Sequence, residues 1–265
     1  MAESSLSLGF PDFQRIVGEY LRYGRDSSNW STDETSQVDE IIQSGVRQYY
    51  FPPAIQNRTS NTGVYYHKWG FLAPTTATIV TVSATLKYDL PDNFGGIEGP
   101  LTFAQDEAWV PIPIVDEVQI RILEQRNSSG VPQFAAIRPK GVAGSTGQRW
   151  EITIWPSPDG VYNLSYRYNV LDSTISASVP YPLGGMSHAE GILQSIMAVA
   201  EHRVEEERGI QWQRFMELVT ANIHRDMKNN TPEYYGYNRD GSDLSRHANI
   251  ERNLPVTYKG VKYTG

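Results

Sequence analysis

His188 and Glu190 stand two residues apart, the spacing at which zinc deaminases place a metal ligand and a proton-shuttling carboxylate. That chemistry also needs a downstream pair of cysteines, and the chain contains none. Ser187-His188-Ala189-Glu190 reads instead as a capping box, with Glu190 reaching back to the start of a helix. His202 with Glu205 and Glu206 offers a nitrogen and carboxylates on neighbouring helical positions, half of a carboxylate-type metal site. Arg203 and Arg208 alternate with these acids, which predicts a solvated, ion-paired face. Gly141, Gly144 and Gly147 form a G-x-x-G-x-x-G run, but a phosphate cradle follows a strand, opens a helix and normally carries a lysine. This run leads into strand-patterned residues at Trp150, so it reads as a flexible hairpin loop. No Ser-His-Asp order or nucleophile elbow stands out. No catalytic, cofactor-binding or metal-binding residue is assigned, and no enzyme is expected.

A second kind of chemistry is ring stacking. Trp69, Trp109, Trp150 and Trp155, with Tyr65, Tyr66, Tyr162, Tyr166 and Tyr168, crowd the middle of the chain. Such rings stack on sugars, and they also fill β cores and interfaces. A carbohydrate-binding or receptor-contacting module is therefore the alternative function, and it requires an exposed aromatic row.

Composition narrows the classes further. With 265 residues, 39% of them hydrophobic, the chain can build one large domain or two modest ones. A formal charge of −7 and a pI near 5.3 argue against a surface that coats nucleic acid, which needs clustered Lys and Arg. The lack of cysteine excludes disulfides and thiolate metal sites. Met1 to Phe10 has neither a basic start nor a secretory apolar run, so synthesis in cytosol is expected. No stretch approaches the roughly 18 apolar residues of a membrane span, and no membrane partner is expected.

The elements that must position these residues are legible in part. Pro11 suits a first helical turn, Ile16, Val17, Tyr20 and Leu21 follow Phe13 at helical spacing, and Gly24 suits a left-handed stop. Ser31-Thr32-Asp33-Glu34 matches a capping box, opening a helix whose inward face is Val38, Ile41, Ile42, Val46 and Tyr49 and which Pro52-Pro53 must end. From Gly63 to Val170 short runs rich in Thr, Val, Ile, Tyr and Trp alternate with Gly and Pro clusters, as in antiparallel strands. Trp150–Trp155 and Val161–Tyr168 read as a hairpin across Pro156-Ser157-Pro158-Asp159-Gly160. Ile114 to Arg126 reads as one helix within this region, with Val115, Val118 and Ile122 on one side. Ile192, Leu193, Ile196, Met197, Ala200 and Val204 form an apolar stripe after Ser187. The pattern resumes through Phe215, Met216, Val219, Ile223 and Met227, so the return is one helix kinked at Gly209 or two.

After Asn230 the apolar residues are too sparse to enclose a core, and tyrosines and charges dominate. The predicted fold is α+β: a helical scaffold from residues 1–55 and 181–229, an inserted antiparallel β-rich domain at 56–180, and an extended C-terminal arm at 230–265. Fully extended, the arm spans on the order of 100 Å.

Several pieces occur in a telling order. They are Tyr23-Gly24-Arg25-Asp26 with Trp30-Ser31, Val38-Asp39-Glu40-Ile41-Ile42, and Gln48-Tyr49-Tyr50-Phe51-Pro52-Pro53. Leu90-Pro91-Asp92-Asn93-Phe94-Gly95-Gly96, Gly99-Pro100-Leu101-Thr102, Trp155-Pro156-Ser157-Pro158 and Gly236-Tyr237-Asn238-Arg239-Asp240 follow. In this order, and on a helix, β, helix layout, the chain resembles the head-to-tail adaptor, or connector, proteins of tailed bacteriophages. The resemblance spans most of residues 10 to 243. It implies a structural virion protein in a homo-oligomeric ring, typically a dodecamer, at the head-tail interface, between the portal protein and a downstream tail or neck protein. Genomic DNA would pass through the ring without sequence-specific binding. The resemblance further implies a portal-binding arm, with Tyr234, Tyr235, Tyr237, Arg239, Arg246, Arg252, Tyr258, Lys259 and Lys262 as its candidate contacts.

Overall fold

The computed structural model describes residues 3–53, 55–56, 64–73, 75–105, 107, 109–126, 128–140, 147–171, 174–229, 256–258 and 261–263. At 55–56, 64–65, 228–229, 256–258 and 261–263 it describes the backbone alone. Among these residues the helices are α1 (Phe10–Tyr20), α2 (Thr32–Tyr50), α3 (Glu117–Glu124), α4 (Met186–Glu205) and α5 (Ile210–Asn229).

Pro11 lies in the first turn of α1, where its missing N–H leaves no bond unmade, and the Asp12 carboxylate accepts from the Gly9 amide at 3.1 Å. The predicted stop at Gly24 is corrected. The Tyr23 amide returns to the Gly18 carbonyl at 2.9 Å, a closure that demands positive φ at the residue before Tyr23, and Arg22 supplies it at 65°. Gly24 also has positive φ but lies beyond the closed end. In α2 the capping box forms in both directions: Ser31 Oγ accepts from the Glu34 amide at 3.2 Å, and Glu34 Oε2 accepts from the Ser31 amide at 2.7 Å. All five residues of its predicted inward face are buried, and it ends two residues before Pro52.

α4 departs from expectation at its start. Its N-cap is Gly185 (φ 60°), two residues before the expected Ser187, Ser187 Oγ donates to the Gly184 carbonyl at 3.3 Å, and Glu190 faces Arg214 at 3.7 Å. The capping box does not form because the left-handed Gly185 already turns the chain into the helix. Ile192 to Ala200 of the stripe are buried, whereas Val204 is exposed. The return is two helices, parted at residues 206–209. α2 and α4 meet so closely at Gly45 that a Cβ there would lie 2.4 Å from Ile196 Cα, and Ser195 Oγ donates to the Gly45 carbonyl at 2.7 Å. Phe13, Val17, Phe215 and Val219 complete this helical core, joined by Trp69, Leu72 and Ile175.

The strands are β1 (Ile55–Gln56), β2 (Val64–Tyr65), β3 (Thr75–Val80), β4 (Lys87–Asp89), β5 (Phe94–Thr102), β6 (Ser129–Gly130), β7 (Phe134–Lys140), β8 (Arg149–Trp155), β9 (Ser157–Pro158) and β10 (Asn163–Val170). Two antiparallel three-stranded sheets, β3-β10-β5 and β4-β8-β7, contribute to one shared core through Ile79, Phe94, Leu101, Leu164, Ile152 and Ile154. β7 and β8 form a hairpin closed by Lys140↔Arg149, and Gly147 has φ 69° in its loop. Gly141 and Gly144 lie outside the described residues. The predicted hairpin of Trp150–Trp155 with Val161–Tyr168 is not formed. Both edges of β8 are taken by β4 and β7 and both edges of β10 by β3 and β5, so the Pro156–Gly160 linker carries the chain from one sheet to the other. Within that linker β9 pairs parallel with β6.

α3 is shorter than predicted, starting after Asp116, whose carboxylate accepts from the Val118 amide at 2.9 Å. Its inner residue is Ile120, and Val118 and Ile122 are exposed. Glu151 of β8 is buried because Arg138 Nε donates to it at 2.5 Å. The fold class is α+β as expected. The chain divides into Met1–Asp226 and Met227–Gly265. The second unit contains an antiparallel pair, β11 (Val256–Tyr258) and β12 (Val261–Tyr263).

Candidate functional site

Of the polar groups singled out in the sequence, His188 enters the strongest buried polar cluster, which is otherwise built from residues not singled out for chemistry. The segment 66–72 lays its rings into the helical core. Trp69 stacks on Tyr49 with centroids 5.0 Å apart and donates from Nε1 to the Tyr49 carbonyl at 2.8 Å. That carbonyl is one of the last in α2, which the helix itself leaves without a partner. His67 Nε2 lies 2.9 Å from Asp226 Oδ2, which also accepts from the Gly70 amide at 3.1 Å. α5 thus clasps the segment through a carboxylate, and α2 clasps it through a ring.

His188 sits beside this clasp with its Nδ1 2.8 Å from Tyr49 Oη. Asn222 Nδ2 donates to the same hydroxyl at 2.8 Å, and burial pushes the phenol far above its ordinary range, so the hydroxyl keeps its proton and directs it to Nδ1. The His188 ring proton therefore resides on Nε2. Burial lowers the His188 pKa; nearby Arg225 and His67 lower it too, and Asp226 opposes them. The folded state accordingly takes up a proton less readily than the unfolded chain, whose value is near 6.5. Linkage gives the sign: this contribution is complete above about pH 6.5 and is lost as pH falls through the lowered folded value. We expect the melting temperature to fall between pH 6.5 and 5 more steeply in wild type than in His188→Gln. Equal slopes in the two proteins would refute the assignment.

Glu190 is exposed, so the H-x-E pair does not converge on one point. His202, Glu205 and Glu206 are exposed; Glu205 accepts from Tyr20 Oη at 3.3 Å, and Glu206 closes α4 with φ 57°. Arg203 pairs with Glu40 at 3.2 Å, and Arg208 lies 4.4 Å over the ring of Trp212. The aromatic set is divided between two cores: Trp69 is buried in the helical one, Tyr166 and Tyr168 in the β one. Tyr66 and Trp109 are the exposed members among the described residues.

One carboxylate escaped the sequence reading altogether. Glu201, near the end of α4, is buried and accepts from the amides of Gly209, Gln211 and Trp212, each at 3.1 Å. It supplies the start of α5 with the acceptors that a helix N-terminus lacks, and negative charge there suits the helix dipole. A cap eight residues or more upstream has no local signature, so sequence alone could not find it.

Of the arm contacts, Tyr234, Tyr235, Tyr237, Arg239, Arg246, Arg252 and Lys259 lie outside the described residues. Tyr258 and Lys262 stand in the paired strands, opposite Val261 and Thr257. Among the described residues no helix is long and apolar enough to cross a membrane.

No curated protein matches the chain. The sequence model of one family, described as SU10 adaptor protein, matches residues 11–240, through both helical stretches and the β-rich region. An adaptor of this kind is a structural protein of the phage virion and works by contacting other virion proteins. The chain therefore belongs to the SU10 adaptor family of bacteriophage proteins.

Proposed function

We propose that copies of this chain, typically twelve, close into a ring at the head-tail interface, between the portal and a downstream tail or neck protein, with the genome passing through the centre. The observation that carries this reading is the family match, which spans 11–240 and so includes the scaffold and the β insert together. Heterologous contacts between copies close into rings when their rotation permits. The helical parts, 1–55 and 181–229, are the ring body, 56–180 the inserted domain and 230–265 the arm. Twelve chains at −7 each give a formal −84, which keeps DNA from forming the phosphate contacts that would hold it. The role is structural rather than catalytic, since His67 and His188 are committed to core contacts.

The ring is tested by mixing the purified chain with its portal and measuring particle mass and symmetry. A stoichiometric complex of twelve copies is the expected result, and persistent monomers without portal binding would sink the proposal. The arm reaches the portal through Tyr234, Tyr235, Tyr237, Arg239, Arg246, Arg252, Tyr258, Lys259 and Lys262. Truncation after Asn230 should weaken portal binding about a hundredfold while leaving the melting curve in place. Unchanged affinity would remove the arm from the interface.

A further inference from the structure

Three loops at one end of the sheet β3-β10-β5 have no part in the contacts described so far. β10 pairs with β3 through Asn163↔Val80 and with β5 through Ser165↔Thr102, so residues 81–86, the described residues of 103–111, and 159–162 flank the sheet at the same end. They hold one another there. The Thr81 amide donates to the Tyr162 carbonyl at 2.9 Å, the Tyr162 amide donates to Thr81 Oγ1 at 2.8 Å, and Phe103 meets the Tyr162 ring edge to face at 6.0 Å. On this tip Val80, Val82, Trp109, Val110 and Val161 are each more than half exposed. Monomeric proteins seldom leave large apolar side chains grouped in this way unless something covers them.

The charges of the tip are of one sign. Among the described residues of the three loops the charged side chains are Glu107 and Asp159, with no Lys or Arg. Asp159 accepts from Tyr162 Oη at 2.6 Å. That bond, then burial, then the charges of Asp159 and Glu107 hold the Tyr162 phenol above its ordinary range, which puts both acids beside one ring. Glu107 Oε2 is buried and has no hydrogen-bond partner among the described residues. Two carboxylates at the margin of an apolar surface favour a partner that brings cations.

We infer that this tip grips the downstream protein of the virion, through an apolar cleft in that protein rimmed by Arg or Lys. The inference rests on the adaptor reading given above. An arginine in that rim suits both the acids of the tip and the exposed Trp109 ring. Five large apolar side chains fall well short of the roughly 20 to 30 residues a side of a stable two-body interface. Each tip therefore binds weakly, and repetition around the ring supplies the strength.

The test combines DNA-filled heads lacking the adaptor, the full-length chain and purified tails of the same phage, counting adaptor on heads and tails joined as separate readouts. The double variant Trp109→Ser/Val110→Ser, and separately Glu107→Gln, should bind heads as wild type does and join tails at least tenfold less often. Val179→Ser, exposed elsewhere, should change neither. Tail joining by the tip variants at the wild-type level overturns the tip assignment and leaves the adaptor reading standing. Loss of head binding by those variants also overturns it, giving the tip to the portal side. A wild-type chain that joins neither particle sinks both readings. A glycan captured by wild type and lost in Trp109→Ser would give the tip to a sugar and overturn the inference too.

Discussion

Ile196→Asp lowers the unfolding free energy by more than about 4 kcal/mol and the melting temperature by roughly 10 °C or more. Glu205→Ala, nine positions along the same helix, stays within about 0.5 kcal/mol of wild type. The contrast follows from what each side chain touches. Ile196 is fully buried where α4 crosses α2, with Gly45 brought so near that the site has no room for water. The adjacent Ser195 hydroxyl already donates to the Gly45 carbonyl and offers a carboxylate nothing. An aspartate there either stays charged without a partner or takes up a proton far above its normal range, and both cost stability. Total stability is only about 5–15 kcal/mol for a protein of this kind, so a large share is lost. Glu205 is exposed, and its bond to Tyr20 at 3.3 Å competes with water. Coincident melting curves for wild type and Ile196→Asp would show that the α2–α4 contact is not where the core lies.

What was legible in the sequence was local. The Ser31–Glu34 capping box and the Val38–Tyr49 face of α2 depend on residues within a turn or two of each other, and both form as read. The linker Pro156–Gly160 shows the limit. Turn residues announce a change of direction but not which strands then pair, and the edges of β8 and β10 were already occupied by strands distant in sequence. α3 is only eight residues long, too short for apolar spacing to fix its inner face: Ile120 is buried, and Val118 and Ile122, which share a side by spacing, are exposed. Trp69 sits in a β-patterned stretch yet serves the helical core, because Tyr49, His67 and His188 come together around it. His67 and Asp226 are 159 positions apart, a separation at which no spacing argument operates. The family was legible for a different reason: its signature is an order of short pieces along the chain, which needs no contacts to be read, and the match over 11–240 bears it out. The tip of the β insert was not legible, since Val82, Trp109 and Val161 share a surface only through the pairing of β10 with both neighbours.

Glu201→Ala should cost about 2–4 kcal/mol, because three amide donors at the start of α5 lose a charged acceptor inside the protein. Glu201→Gln, which keeps one acceptor oxygen, should lose less. Gly209→Ala is destabilising for a linked reason: a Cβ at that position would stand 2.5 Å from Glu201 Oε1 and push the carboxylate off its amides. The two substitutions therefore strike one contact, and their costs do not add. Once Glu201 is alanine the added methyl meets no carboxylate, so Gly209→Ala should cost at least about 1 kcal/mol less in that background than in wild type. A double-mutant cycle by urea unfolding reads this coupling directly. Its sign matters beyond stability, because the joint at 206–209 sets the direction in which α5 leaves α4. Additive losses would mean that Glu201 does not hold the joint, and would remove the physical reason for a glycine at 209.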